Sequence, residues 1–126
     1  MGKVVRLQHT SVPMEPGREA DARQFYGVVL AMEEKPVPES IAHLGLIWFR
    51  AGEDEIHVFR DPALNHKAVG QHFCLHVDDI EWYRGQFTKH GVEIEETIGV
   101  TNRPRFFVSD PFGNKIEITQ VLGEYT

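Results

Sequence analysis

An internal duplication constrains this chain more than any other feature of its sequence. Gln8-His9 in the first half corresponds to Gln71-His72 in the second, and Gln24-Phe25 corresponds to Gln86-Phe87 at nearly the same offset. Self-similarity at a fixed offset is the signature of a repeated structural unit. The sequence therefore predicts one fold made of two similar modules.

Each half predicts the element order strand, helix and about three strands. The first module, about residues 4–62, contains VVRLQHTSVPM (strand), EADARQFYGVVLAM (helix), IAHLGLIWFRAG (strand) and EIHVFR (strand). The second module, about residues 68–122, contains QHFCLHV (strand), DDIEWYRGQFTKHG (helix) and the strands VEIEETI, PRFFVSD and KIEITQV. Alternating apolar residues indicate strands, whereas apolar residues at helical spacing indicate helices. The pattern predicts an α+β fold of two tandem βαβββ modules.

Local signals place the ends of the second helix and one loop. Asp78 or Asp79 is suited to the N-cap of that helix, and Gly91 is suited to its C-terminal stop. The Pro-rich stretch PVPES, residues 36–40, predicts a short loop in the first module.

Length and charge limit the classes of function. The 126 residues suffice for one core and are too few for two independent domains. A net charge of −6 disfavours nucleic acid and anionic membranes, because both require a basic face. The sequence has no run apolar enough for a membrane span or a signal peptide, and its single cysteine cannot form an internal disulfide. We expect a cytoplasmic protein without a nucleic-acid or membrane partner.

Four candidate metal ligands occupy equivalent positions of the two modules. His9 and His72 lie in the first strand of each module, and His57 and Glu117 lie in the last. If the modules pack around a pseudo-twofold axis, equivalent positions converge on that axis. Imidazole nitrogens and a carboxylate oxygen that converge there suit a divalent first-row cation and leave positions open for substrate.

Several motifs of the chain resemble the vicinal oxygen chelate superfamily, also called the glyoxalase, bleomycin resistance protein and dioxygenase superfamily. The motifs are Leu-x-His in the first strand, Gln-Phe-Tyr-x-x-x-Leu in the helix, His-x-x-x-x-Val-Asp-Asp at the start of the second module and Asp-Pro-x-Gly-Asn-x-Ile-Glu near the end. The last motif, Asp110 to Glu117, is the most specific. The resemblance implies paired βαβββ modules whose curled mixed sheet surrounds a central metal site. It also implies a small-molecule substrate and a homodimer.

The resemblance assigns His9, His72 and Glu117 to the metal positions of the family. His57 departs from it, since glyoxalase I enzymes commonly have Glu there and epimerases of the superfamily have Gln. Glu117 is then the only carboxylate of the four. Ala31 is a second departure, because the helix commonly ends there at a glycine. A left-handed alanine would be strained, so we expect the helix to end differently. The lysine and serine that fosfomycin resistance enzymes place near residues 101–105 are also missing.

The ligand set and the resemblance together favour a divalent-metal-dependent lyase or isomerase of the glyoxalase type. The expected substrate is small and oxygenated, an α-oxo or α-hydroxycarbonyl compound, and the expected metal is Zn, Ni, Co, Fe or Mn. Glu117 is the candidate base, with His57 as the other choice. Arg105 is a candidate for binding a substrate carboxylate or phosphate, and His76 is a candidate for lining the cavity.

Two other functions remain open. His9, His72 and Glu117 match the two-histidine, one-carboxylate triad of ferrous extradiol dioxygenases, although a fourth ligand at His57 would block an open position. A metal-free protein that binds a drug or another small molecule is the second. Whether the site forms within one chain or across a dimer cannot be decided from the repeat.

The remaining histidines and the cysteine are expected to be ordinary residues. His43, His66 and His90 fall in predicted loop, turn or helix-end contexts and are expected at the surface. Cys74 is expected to be a small buried residue and not a nucleophile, since no neighbour in the sequence predicts a lowered thiol pKa.

Overall fold

The computed structural model describes residues 1–65 and 68–125, so the prediction for His66 lies outside the described residues. The strands are β1 (His9–Met14), β2 (Glu34–Lys35), β3 (Ile47–Ala51), β4 (Asp54–Arg60), β5 (Phe73–His76), β6 (Glu95–Glu96), β7 (Arg105–Ser109) and β8 (Lys115–Thr119). The helices are α1 (Glu19–Ala22) with its π-helical continuation (Arg23–Val29), a 3₁₀ helix (Glu39–Leu44) and α2 (Ile80–Lys89).

The strands form two four-stranded mixed sheets with the same topology. Their strand orders are β1-β4-β3-β2 and β5-β8-β7-β6. In each sheet the first and last strands of a module pair in parallel, and the other neighbours pair antiparallel. The predicted α+β fold of two tandem βαβββ modules is confirmed. In the described part of the chain, β1 and β5 form no ladder with each other.

Alternation along β4 and β8 separates the core from the face that carries the candidate ligands. In β4 the side chains of Ile56 and Val58 are buried, and His57 lies on the other face. In β8 Ile116 and Ile118 are buried, and Glu117 points the opposite way. The repeat therefore places both last-strand candidates on the face of the sheet that is turned away from the core.

The first helix ends as the family pattern implies and not as we expected. Its backbone winds as a π-helix after Ala22, with Leu30 N–H donating to Phe25 O at 2.9 Å. Ala31 follows with a φ of 58°, in the left-handed region. The expectation that the helix would avoid this conformation is wrong. The Met32 N–H donates to Tyr26 O at 3.0 Å, which closes the helix end and requires the positive φ at Ala31.

Other element boundaries differ from the predicted ones. The expected strand from Ile41 begins as the 3₁₀ helix, and only Ile47–Ala51 pairs. The predicted strand VEIEETI pairs only at Glu95–Glu96, and the predicted first strand pairs only from His9. The apolar side chains before it, Val4, Val5 and Leu7, are exposed. Asp79 is the N-cap of α2, since its Oδ1 accepts from Trp82 N–H at 3.0 Å, and Gly91 has the positive φ expected of a stop.

The two modules share one core, and the motif residues of both modules meet in it. Phe25 of the first module stacks on Phe87 of α2 with ring centroids 6.4 Å apart. The Tyr26 hydroxyl donates to Asp110 Oδ2 at 2.6 Å, so the helix motif of the first module binds the turn motif of the second. The largest fully buried side chains are Tyr26, Phe49, Phe87, Phe106, Met14, Leu30, Ile56, Ile116, Ile118 and Val58. The ligand candidates lie outside this core.

Candidate functional site

The first module brings His9 and His57 together as a stacked pair. Their ring centroids lie 4.0 Å apart with an interplanar angle of 17°. Trp48 of β3 stacks on the other face of the His57 ring, at 3.9 Å and 2°. We call His9 and His57 the module-one pair. Because the His57 ring is stacked between these two rings, the orientation of its plane is fixed.

A carboxylate that the sequence analysis missed also contacts His57. Glu55 Oε1 lies 2.8 Å from His57 Nε2, and Glu55 Oε2 accepts from Lys35 Nζ at 2.5 Å. The bonds from Lys35 and then from His57 lower the pKa of Glu55 to about 2. Burial is the main cause that lowers the pKa of His57, although its bond to Glu55 opposes the shift. The first module therefore holds an anchored carboxylate and a neutral imidazole in contact.

The second module brings His72 and Glu117 together. His72 Nε2 lies 3.0 Å from Glu117 Oε1, and His72 Nδ1 lies 2.7 Å from Gly70 O. Both of these oxygens only accept, so the single N–H of a neutral His72 ring can satisfy one of them; when it bonds Gly70 O, Nε2 carries the lone pair. In that state the lone pair of His72 Nε2 is directed at Glu117 Oε1. We call His72 and Glu117 the module-two pair.

His9 has an equivalent arrangement to that of His72. Its Nδ1 lies 2.6 Å from Oε1 of the neighbouring Gln8, which acts as the acceptor. In both histidines Nδ1 faces a neutral oxygen acceptor, Gln8 Oε1 for His9 and Gly70 O for His72. An outer acceptor on one ring nitrogen is the usual arrangement for a histidine whose other nitrogen binds a metal.

The turn before β8 fixes the direction of Glu117. Asp110 Oδ1 accepts from the Phe112 and Asn114 backbone N–H groups at 2.9 and 2.8 Å, and Asn114 Nδ2 donates to Pro13 O at 2.9 Å. These bonds lock the register in which β8 leaves the turn. Burial raises the pKa of Asp110 even though several donors surround it. The specific motif is thus a structural device that places Glu117 on the open face.

Arg105 is committed to protein groups. Its Nε and Nη2 donate to Ile98 O at 3.1 and 3.0 Å, and its Nη1 lies 3.5 Å from Glu117 Oε2. The predicted role of Arg105 in binding a substrate anion stays a prediction, and these contacts use three of the five N–H groups of the guanidinium.

The predicted ligands meet in two pairs and not as a set of four. In residues 1–65 and 68–125 no three His, Cys, Asp or Glu side chains lie close enough to hold one metal ion. Each pair offers donor atoms that suit a first-row cation, and the ring orientations of His9 and His72 fit that use. Within one copy of the chain, however, the donors of the two pairs do not form a shared coordination shell.

An open groove of about 1270 Å³ runs between the modules. His9 and His72 both line it, and so do Glu55, Cys74 and His76. His76 Nδ1 accepts from Val121 N–H at 3.1 Å, which leaves its Nε2 as a donor. A histidine from each pair therefore borders the same groove.

Three site residues were missed in the sequence: Glu55, Lys35 and Trp48. The period of two along a strand puts Glu55 on the same face as His57, a signal that was available. Lys35 and Trp48 become neighbours of His57 only through pairing, since Trp48 lies opposite both Lys35 and His57. The strand register must therefore be known before Lys35, Trp48 and His57 can be recognised as neighbours.

The exposure of the remaining histidines and of the cysteine agrees only in part with the prediction. His43 is exposed as predicted, and His90 is half-buried. Cys74 was expected to be buried and is exposed, because it lies on the open face of the sheet opposite Glu117. Local desolvation is nevertheless the main cause that raises the pKa of its thiol to about 11. No helix in the described residues is long and apolar enough to cross a membrane.

Three solved structures indicate what the fold resembles. A glyoxalase family protein from Bacillus anthracis is 34% identical, with a TM-score of 0.88 and coverage of 96% of this chain and 98% of that one. A lactoylglutathione lyase from Agrobacterium tumefaciens is 20% identical with a TM-score of 0.69, covering 94% and 96%. TnmS3, an antibiotic binding protein from Streptomyces sp. CB03234, is 17% identical with a TM-score of 0.74, covering 96% and 98%. At such low identity the last two show a shared fold alone.

No curated protein sequence matches the chain. The family model of the Glyoxalase/Bleomycin resistance protein/Dioxygenase superfamily matches residues 7–118, which include every predicted ligand. Together with the duplicated βαβββ topology, this match shows that the chain belongs to the Glyoxalase/Bleomycin resistance protein/Dioxygenase superfamily.

Proposed function

We propose that the protein is a divalent-metal-dependent lyase or isomerase for a small α-oxo or α-hydroxycarbonyl substrate. The contact between His72 Nε2 and Glu117 Oε1 at 3.0 Å carries the proposal. With His72 Nδ1–H bound to Gly70 O, both atoms of this contact present lone pairs when the imidazole is neutral. Such a contact is favourable only with a proton or a cation between the two atoms.

The complete site of this proposal takes its donors from two copies of the chain. His9 and His57 come from one copy, and His72 and Glu117 come from a second copy. Two observations support a homodimer: the two pairs do not meet within the described residues of one chain, and β1 and β5 have no partner on their outer edges there. A twofold dimer would form two identical sites, since each interface is used twice.

The metal of the proposal is Zn, Ni, Co, Fe or Mn, as suits a set of imidazoles with one carboxylate. When bound, such a cation polarises a substrate carbonyl and stabilises negative charge that develops on it.

The protein residues then supply proton transfer and orientation. Glu117 takes the proton from the hydroxyl-bearing carbon and delivers it to the adjacent carbonyl carbon, while the hydroxyl proton passes to the former carbonyl oxygen, so the substrate is isomerised with no loss of atoms. His57 is the other candidate base. Arg105 lies beside Glu117 Oε2, where it can bind a substrate anion, and His76 lines the groove with a free donor nitrogen.

The test combines metal content with turnover. Protein purified without added metal is incubated with Zn, Ni, Co, Mn or Fe, desalted and assayed with the hemithioacetal of methylglyoxal. We expect about one metal ion per chain, because a twofold dimer has two sites, and turnover that disappears with a chelator. Less than about a tenth of an equivalent of every metal would contradict the proposal, since a site with three or more protein ligands retains its metal through desalting.

A metal-free small-molecule-binding protein is the second candidate. The observation in its favour is the open groove of about 1270 Å³ in a chain whose described residues hold no three-ligand cluster. This candidate predicts saturable binding of an aromatic or heterocyclic ligand by metal-free protein, unchanged in His72→Ala. The metal-dependent proposal predicts no such binding.

A further inference from the structure

Glu55 lies between the positive charge of Lys35 and the imidazole of His57. Oε2 accepts from Lys35 Nζ at 2.5 Å, Oε1 lies 2.8 Å from His57 Nε2, and the Gln8 side chain also bonds this carboxylate. The Glu55 side chain is only 13% exposed and that of Lys35 is 22% exposed. An ion pair so shielded keeps its geometry better than one on an open surface.

We infer that Glu55 is a positioning residue that keeps the proton of His57 on Nε2 and leaves the lone pair on Nδ1. A carboxylate paired with an ammonium is an acceptor only, so the nitrogen that faces it must be the donor. His57 Nδ1 has no hydrogen-bond partner among the described residues. This tautomer is the reverse of that of His9, whose Nδ1 donates to Gln8 Oε1.

The rings on either side prevent His57 from escaping this arrangement. Trp48 and His9 stack on opposite faces of the imidazole, at 3.9 and 4.0 Å. Rotation of the ring within the stack would break the bond from Nε2 to Glu55 while Lys35 still holds the carboxylate. A charge-assisted bond in a shielded site is costly to break. Trp48, Glu55 and Lys35 thus fix both the plane and the protonated nitrogen of His57.

The consequence for the site rests on the proposed function. His57 contributes Nδ1, as metal ligand or as base, whereas His9 and His72 contribute Nε2. Orienting partners of this kind are worth about 10–100-fold in metal affinity. The placement of the proton, in contrast, is a property of the metal-free protein and does not depend on the proposed reaction.

The test is a long-range ¹H–¹⁵N correlation spectrum of metal-free protein. The spectrum is recorded at about pH 8.5, two units above the ordinary pKa of histidine. The His57 signals are assigned by their disappearance in the His57→Asn variant. We expect His57 to be protonated at Nε2 and His9 at Nδ1. A His57 ring protonated at Nδ1 in the wild-type spectrum would overturn the inference without any further variant.

Glu55→Gln provides the sharper arm of this experiment. Lys35 only donates, so the introduced amide gives its oxygen to Lys35 and turns its NH₂ toward His57. Nε2 must then accept, and the proton is expected to move to Nδ1. Glu53→Gln, on a side chain that is 91% exposed in the neighbouring turn, is the matched control and leaves the spectrum unchanged.

The metal titration separates the inference from the proposed function. If the protein binds Zn²⁺, Glu55→Gln is expected to weaken binding about 10–100-fold and Glu53→Gln is not. If wild type binds no metal, the proposed function fails while the tautomer result still stands. An unchanged His57 tautomer in folded Glu55→Gln protein would refute the role of Glu55.

Discussion

His72 Nε2 and Glu117 Oε1 lie 3.0 Å apart on the open face of the second sheet, while Nδ1 of the same ring is bound to Gly70 O. His72 immediately precedes β5 and Glu117 lies in β8, and these first and last strands of the module pair in parallel. The duplication repeats that strand pairing in the first module, where it brings His9 to His57. Fold and site therefore have one origin, since parallel pairing of the end strands places two donor side chains side by side in each module.

Replacing His72 with alanine is expected to abolish tight metal binding and leave the apo fold intact. The ring lies outside the buried core, so the free energy of unfolding should change by less than about 1 kcal/mol. Metal affinity should fall by more than about 100-fold, beyond the loss typical of an outer partner. Competition titration and thermal melts measure the two effects. His76→Ala, on the same face, is the control, and its metal affinity should stay close to that of wild type. Metal-free His72→Ala protein that fails to fold would contradict the prediction.

Two inactive variants are expected to restore each other's activity if the site lies between copies. His9→Ala/His57→Ala lacks the module-one pair, and His72→Ala/Glu117→Ala lacks the module-two pair. Random reassociation makes half of the dimers mixed, and each mixed dimer has one intact site. About a quarter of the wild-type activity should therefore return on mixing after dissociation. Two inactive variants that stay inactive together, in a mixture proven to contain mixed dimers, would exclude the shared site.

The thiol of Cys74 is expected to react slowly despite its exposure. Desolvation of the sulfur is the main cause that raises the pKa of the Cys74 thiol to about 11, and the charge of Glu117 is the second cause. The thiolate is the reactive form, so the alkylation rate should rise about tenfold per pH unit up to about pH 10. The same chain in denaturant should level off near pH 9, as an ordinary thiol does. Iodoacetamide labelling followed by mass spectrometry provides the rates, and a plateau below pH 9 in the folded protein would contradict the raised pKa.

The parts of the fold that sequence could predict are those governed by local chemistry. Alternation identified the core side of β4 and β8, and Asp79 and Gly91 marked the ends of α2. The parts that could not be predicted depend on contacts between distant segments. Lys35, which holds Glu55, reaches the site only because β2 pairs with β3, and nothing near Lys35 in sequence signals this.

The candidate site shows the same division. The repeat placed His9 with His72 and His57 with Glu117 at equivalent strand positions, and the strands that carry or adjoin them pair in parallel in each module. Their convergence on one cation stays a prediction, because the repeat leaves open how the modules of two copies meet. The carboxylate at Glu55 was overlooked because a strand glutamate usually faces solvent.

Ala31→Gly is expected to stabilise the protein by about 1 kcal/mol. Ala31 has a φ of 58°, where a Cβ is strained and glycine is not. The gain is partly offset by the greater freedom of glycine in the unfolded chain. Ala20→Gly, at an exposed position of α1 with ordinary helical backbone, is the matched control and should destabilise by about the same amount. Urea unfolding at equilibrium measures both, and a destabilised Ala31→Gly would show that the left-handed alanine carries no net strain.

Tyr26→Phe is expected to destabilise the protein by an amount that grows with pH. The Tyr26 hydroxyl donates to Asp110 Oδ2 at 2.6 Å, and burial raises the pKa of Asp110 above its ordinary 3.8. A carboxyl with a raised folded-state pKa stabilises most when protonated, and that stability is lost as pH rises through the folded pKa. Removing the hydroxyl removes a bond that lowers the pKa, so the folded pKa rises further and more stability is lost at neutral pH. We expect a cost of about 1–3 kcal/mol at pH 7 and a smaller cost near pH 3.

Tyr83→Phe is the matched control for this pH dependence. The Tyr83 hydroxyl donates to Leu30 O at 2.8 Å, a neutral acceptor, and it too links the two modules. Burial raises the pKa of Tyr83, so its hydroxyl does not ionise between pH 3 and 8 and the cost of its removal should be constant over that range. Urea unfolding of both variants and wild type at about pH 3, 5 and 7 separates the cases, using the linear dependence on denaturant. Parallel pH profiles for the two variants would mean that the Tyr26 hydroxyl acts through packing, because only a bond to an ionisable partner makes the cost depend on pH.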